Sequence, residues 1–177
     1  MRVGLYFGSF NPLHVGHLQV ARYFRDIDAF DVVWFVPSPL NPHKSEETLV
    51  PANLRLAWVK TALAQESDLQ CCDVEFGLGL PSYTHRTVKH LQALHPEHQF
   101  SLIMGADNLA QFNRWERWQN IASMVPIAVV DRPPDSFRTL SSVAAQTLMP
   151  YRIDERNAGI LANRRAPAWT FLTGLKS

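Results

Sequence analysis

Short apolar runs rich in Val, Ile and Phe punctuate the chain at Val3 to Phe7, Val32 to Val36, Leu69 to Val74, Phe100 to Met104 and Ile127 to Val130. Each has strand length and is apolar nearly throughout instead of alternating, the pattern of strands covered on both faces of a parallel sheet. Amphipathic segments of helix length lie between them, at His14 to Phe24, Asn53 to Ala64, Thr84 to Leu94 and Asn108 to Met124. In the first, Leu18, Ala21 and Phe24 recur at three-residue steps while Gln19, Arg22 and Arg25 fall elsewhere, which predicts one buried stripe. Strands alternating with helices predict an α/β fold with a mainly parallel sheet, right-handed crossovers and helices on both faces. Beyond Pro150 the pattern becomes polar and irregular, and only Trp169 to Leu172 suggests another strand. With no internal repeat and no linker, residues 1–177 are expected to form one domain.

In sheets of this kind ligands bind outside the carboxyl ends of the strands, where the strand order reverses and helix N-termini point inward. The segments expected there are "GSFNPLHVGH", "VPSPLNPHK", "LPSYT", "MGADN" and "DRPPD". Composition adds little beyond exclusions. The chain is 46% apolar and 19% charged, which is globular, and its net charge of +1 offers no basic surface for nucleic acid. Any phosphate site must therefore be local. The adjacent Cys71 and Cys72 suit neither a disulfide nor a metal knuckle and read as buried strand residues in a reducing compartment. "RVGLYFG" is not a signal peptide and no run approaches a membrane span, so a cytoplasmic protein is expected.

"GSFNPLHVGH" carries the strongest chemistry. Gly8 lets the chain turn at the end of the first strand and lets a ligand approach the main chain. His14 and His17, three apart at the start of the next helix, project on one side, where free amides and the helix dipole favour an anion. Two imidazoles there suit a phosphate chain. Three other readings compete: a zinc pair, for which no Cys, Asp or Glu companion stands nearby; a P-loop, excluded because no Gly-Lys-Ser/Thr follows; and a helix cap at His14 beside a half-buried His17.

These residues resemble the H-x-G-H signature of the nucleotidylyltransferase superfamily, whose members join a nucleoside monophosphate to a phosphorylated acceptor and release diphosphate. "LPSYTHRTV" at Leu80 to Val88 and "MGADNLAQFNRWERWQNI" at Met104 to Ile121 narrow this, because together they resemble the bacterial nicotinate-nucleotide adenylyltransferase family. The resemblance covers Met1 to about Pro133. It implies a Rossmann-like, doubly wound fold, with ATP and nicotinate mononucleotide as substrates and deamido-NAD as product, in NAD biosynthesis. It implies His14, His17 and Lys44 as catalytic groups, and Gly8, Ser9, Phe10, Gly105 and Asp107 with the histidines around ATP. Asp107 would accept from ribose hydroxyls or simply cap the helix expected near Asn108. Tyr83 would offer a flat face to the pyridine ring and Thr84 a hydroxyl, Trp115 would stack nearby, and Arg55 is a weaker candidate for the same mononucleotide that could simply brace the substrate loop. Arg132 is weaker still and could face solvent. Phe112 and Trp118 read as core. Mg2+ is expected with ATP, held largely by phosphate oxygens and water, so no protein ligand is nominated for it.

The chemistry is an in-line displacement in which the acceptor's ionised phosphate is the nucleophile, so catalysis reduces to positioning and charge stabilisation. The family's late I-S-S-T-x-I-R motif has no match here, since "LSSVAAQ" lacks the Thr-x-Ile-Arg and the chain reaches Ser177 in "FLTGLKS". The resemblance therefore implies weak or absent adenylyl transfer by this form. Alternatives are a related transferase with another phosphorylated acceptor, such as phosphopantetheine, a nucleotide-binding protein with impaired catalysis, and, most remotely, a zinc hydrolase.

Overall fold

The computed structural model describes residues 1–40, 50–131 and 136–175. Seven strands form a single sheet: β1 (Arg2–Gly8), β2 (Val32–Pro37), β3 (Leu69–Cys71), β4 (Gln99–Gly105), β5 (Ile127–Val130), β6 (Arg152–Ile153) and β7 (Trp169–Leu172). Their order is β3-β2-β1-β4-β5-β7-β6, and every pairing is parallel. The chain first builds outward from β1 through β2 to β3, then crosses to β4 on the other side. Val3 accordingly pairs with Val32 on one side and Phe100 on the other. This reversal opens a crevice at the carboxyl ends of β1 and β4.

The apolar runs are continuous because both faces are covered. Val3 and Leu5 of β1, Phe100, Leu102 and Met104 of β4, and Trp169 and Phe171 of β7 face one buried cluster. There they meet Val88 and Leu91 of α3 (Thr84–Leu94), Leu109 of α4 (Ala106–Gln111), Ile121 of α5 (Trp118–Met124) and Ala144 of α7 (Val143–Leu148). Tyr6, Val33, Phe35, Ile103 and Val130 face the other way. Their partners are Val20, Ala21 and Phe24 of α1 (Val15–Asp26) and Val59 and Leu63 of α2 (Ala52–Leu63). The remaining helix, α6 (Ser136–Leu140), packs by α4, where the buried Thr139 hydroxyl donates to Ala106 O at 3.2 Å. Each large side chain so buried contributes roughly 1.5–3 kcal/mol, so the two layers together hold the sheet against its helices.

Four expectations are corrected. The third strand stops at Cys71, because Val74–Gly77 turns into a 3-10 helix that carries Glu75 inward. The helix expected over Asn108 to Met124 is two helices, joined by a 3-10 turn at Phe112–Arg114 and broken at Arg117, whose φ of 55° is left-handed. Breaking it gathers both tryptophans edge-on to buried Phe112, with centroids 5.2 Å away for Trp115 and 5.6 Å for Trp118. Beyond Pro150 the irregular stretch contains β6 and 3-10 turns over Glu155–Asn163, whose small Ala158 and Ala162 let the backbone lie close to the sheet. Finally, Cys71 and Cys72 are half-buried free thiols, and burial pushes the Cys71 thiol up to about 11.

Candidate active site

At the end of β1 the chain turns through Ser9 and Phe10 into α1. Phe10 takes a left-handed φ of 48°, which a non-glycine residue holds only when its surroundings fix it. They do: its ring is buried against Phe35 at 5.5 Å, His17 at 5.1 Å and Tyr6 at 5.9 Å. The loop is also tied to its neighbours. Ser38 N–H donates to Gly8 O at 2.9 Å, and Asn11 Oδ1 accepts from Val50 N–H at 3.0 Å.

His14 is the N-cap of α1 and His17 its third residue, and the two form a reciprocal capping box. His14 Nδ1 accepts from Gly16 N–H, and His17 Nδ1 accepts from His14 N–H, both at 3.1 Å. With Nδ1 an acceptor in each ring, the neutral tautomer of each imidazole carries its proton on Nε2. The rings are stacked, 3.8 Å between centroids. Gly16 is required for this: a Cβ there would lie 2.9 Å from His14 Cε1.

Both histidines line a cavity of about 400 Å³ at the carboxyl ends of β1 and β4. Gly8, Ser9, Phe10, Tyr83, Thr84, Gly105, Asp107 and Trp115 line it too, so ten of the residues singled out in the sequence meet in one place. Gly105 is the N-cap of α4, which begins at Ala106, so Asp107 lies within the first turn and is not the cap. Its carboxylate folds back over Gly105, Oδ1 lying 2.6 Å from where a Cβ on that glycine would stand. Tyr83 precedes α3, with the Arg86 guanidinium 5.3 Å from its ring centre. Trp115 stands between α4 and α5 in an extended conformation, half-buried and presented by the break in the expected helix.

Arg55 belongs elsewhere. It is 1% exposed and donates to Ser9 O, Ser38 O, Pro39 O and Val50 O at 2.7–2.8 Å. Burial lowers its pKa. A guanidinium so taken up braces the loops after β1 and β2 from behind and is not among the cavity's lining residues, which favours the bracing reading of Arg55 over a contact with the mononucleotide. Lys44 and Arg132 lie outside the described residues.

Glu75 is a lining residue that sequence reading missed. It is 3% exposed, its Oε2 accepts from Thr87 Oγ1 at 2.7 Å, and its Oε1 has no partner within hydrogen-bonding geometry among the described residues. Burial pushes its carboxyl up to about 7, against the opposing effect of the Thr87, Ser82 and Ser38 hydroxyls. Its only local signal is an acid between Val74 and Phe76 just before the P-S-Y-T stretch. Asn11, Ser38, Ser82, Asn108 and Glu116 were likewise not singled out. Besides the two imidazoles, the described lining residues offer oxygen donors, notably Asp107, Asn108 and the buried Ser9 Oγ, and no thiolate. That set suits a hard dication arriving with a triphosphate.

Comparison with known proteins agrees with this geometry. The cytidylyltransferase-like family model matches residues 5–165. A protein of Bradyrhizobium sp. (strain BTAi1) named probable nicotinate-nucleotide adenylyltransferase is 45% identical, over 99% of this chain and 91% of its own. One of the same name from Agrobacterium fabrum is 42% identical, over 100% and 94%. Among solved structures, the Plasmodium falciparum nicotinic acid mononucleotide adenylyltransferase complexed with NaAD superposes with a TM-score of 0.71. It covers 99% of this chain and 76% of that one at 17% identity, a likeness of fold. No helix among the described residues is long and apolar enough to cross a membrane. At such identity over nearly the whole of both chains, this chain belongs to the cytidylyltransferase-like family and, within it, to the nicotinate-nucleotide adenylyltransferase family.

Proposed function

We propose that the chain transfers the adenylyl group of ATP to nicotinate mononucleotide. A phosphate oxygen of the mononucleotide attacks the α-phosphorus, the bond from that phosphorus to the oxygen bridging to the β-phosphorus breaks, and diphosphate leaves as deamido-NAD forms. Protons balance without a protein base, since the nucleophile is already ionised. What remains for the protein is to hold two anions in line and to meet charge that grows on the transferring phosphoryl group and the departing diphosphate.

The observation that carries this reading is the double cap of α1: two imidazoles whose Nδ1 atoms are both occupied by backbone N–H groups. Their Nε2–H donors suit the phosphate oxygens, and the fixed caps make the donors preorganised. The half-buried rings of Tyr83 and Trp115 in the same cavity suit a planar pyridine, with Thr84 available for a polar contact. Gly8, Ser9, Phe10, Gly105 and Asp107 would surround the nucleotide, Asp107 accepting from ribose hydroxyls or joining water around a dication. Mg2+ is the dication we assign, offsetting the triphosphate charge when bound. Lys44 is retained as a cation for the triphosphate on the resemblance alone. Residues 1–177 act as one domain in this reading, and the cytoplasm, where ATP is available and thiols such as Cys71 stay reduced, is the compartment assigned.

The test is an assay with ATP, Mg2+ and either nicotinate or nicotinamide mononucleotide, following dinucleotide and diphosphate together. Formation of deamido-NAD with equimolar diphosphate, even at the low rate that the unmatched I-S-S-T-x-I-R motif implies, supports the reading, and binding of ATP without any dinucleotide contradicts it.

A further inference from the structure

At the opposite end of the sheet, α3 hands over to β4 through His95, Pro96, Glu97 and His98. His95 caps α3, its N–H bonded to Leu91 O at 2.9 Å, and His98 N–H closes the turn onto His95 O at 3.1 Å. Glu97 Oε1 lies 3.6 Å from His95 Nδ1 and 3.6 Å from His98 Nε2, and one ligand atom from each of the three falls within 4.8 Å of the others. We propose that these residues form a three-ligand site for a transition-metal dication of borderline softness, zinc foremost, with a fourth position left to water.

The spacing fits the chemistry. Tetrahedral zinc with nitrogen and oxygen ligands at about 2.0–2.1 Å holds its donor atoms roughly 3.4 Å apart, so the two 3.6 Å separations need only a small contraction. The imidazoles are not loose surface groups. Trp34 meets both edge-on, 5.4 Å from His95 and 5.7 Å from His98, and Phe100 meets His98 at 5.9 Å. The His98 side chain is only 13% exposed, and its Nδ1 faces the Met1 amino nitrogen at 3.4 Å, which leaves Nε2 as the nitrogen turned to Glu97. Glu97 is exposed enough to adjust its carboxylate toward both imidazoles.

Two imidazoles and one carboxylate select zinc, cobalt or nickel over magnesium, which prefers an all-oxygen octahedron. This site is thus distinct from any dication that accompanies ATP. It also lies at the start of β4, whose far end, Gly105, lines the cavity, so seven residues of strand, on the order of 20 Å, separate the two. A metal here would tie the end of α3 to the start of β4 and act on stability.

The experiment is calorimetric titration of chelator-treated protein with zinc chloride, paired with the visible spectrum of the cobalt form and a melting curve with and without zinc. The wild type should bind one equivalent, give the intense bands of tetrahedral cobalt and melt higher with zinc, while millimolar magnesium leaves binding unchanged. His98→Gln, which keeps a side chain against Trp34, and the double variant His95→Ala with His98→Ala should each weaken binding at least tenfold. His17→Ala should bind zinc as the wild type does. An absence of zinc binding in the wild type overturns the proposal. So does binding that survives the double variant, or that is lost in His17→Ala, which would move zinc to the cleft.

Discussion

His14 and His17 stack across the first turn of α1, 3.8 Å between ring centres, each Nδ1 accepting a backbone N–H of the same turn. One pair of hydrogen bonds thereby caps the helix and fixes the neutral tautomer with its proton on Nε2. Capping and chemistry can be separated by substitution. Asn is a strong N-cap acceptor but has no imidazole donor, so His14→Asn should keep stability within about 0.5 kcal/mol, whereas His14→Ala should lose about 1 kcal/mol. Turnover should fall in both, on the order of 100-fold, with substrate affinity less affected. Thermal melts and steady-state kinetics on the two variants check this; turnover that tracks stability would show a cap and nothing more.

Arg55 ties the loops after β1 and β2 together through four backbone carbonyls. Arg55→Ala should cost roughly 3–5 kcal/mol, because it strips buried acceptors of their donor and leaves a void. Arg55→Lys should recover only part of that, since one ammonium cannot span four acceptors in the plane of a guanidinium. Chemical denaturation of both variants is the measurement.

Gly105 gives way to the Asp107 carboxylate that folds over it. A Cβ 2.6 Å from Oδ1 must displace that side chain, so Gly105→Ala should raise the KM for ATP several-fold with little loss of melting temperature. An unchanged KM would separate Asp107 from the nucleotide.

Glu75 makes stability depend on pH in a particular direction. Its carboxyl titrates at about 7 in the fold against 4.5 for an ordinary glutamate, so the folded state holds the proton more tightly. Its contribution is fully present below pH 4.5, is lost as pH rises toward 7 and changes no further above that. The span is about 3 kcal/mol by linkage. Glu75→Gln keeps an acceptor for Thr87 without the titration, and should flatten this slope and be the more stable protein at pH 8. Urea unfolding from pH 4 to pH 8 measures both.

The strands and the address of the site were legible because burial on both faces writes itself as unbroken apolar runs, as in Val3 to Phe7, and because Gly8 to His17 carries its turn and cap residues in one contiguous stretch. Other features depend on contacts distant in sequence. Arg55 reads equally as a substrate contact or a loop brace until the carbonyls of Ser9 and Ser38 converge on it, and Glu75 like any loop acid until Thr87 covers one oxygen. The break at Arg117 was hidden for a related reason. Phe112, Trp115 and Trp118 keep a helical spacing on paper, yet packing both tryptophans edge-on to one phenylalanine requires the chain to bend.

The most direct test of the central claim is the rate of deamido-NAD formation from ATP and nicotinate mononucleotide, measured by chromatography for the wild type and for His17→Ala. The account predicts dinucleotide and diphosphate in equal amounts from the wild type, and at least 100-fold less from His17→Ala at saturating substrates, with the fold intact. Equal rates from the two proteins, or no deamido-NAD from either, would contradict it.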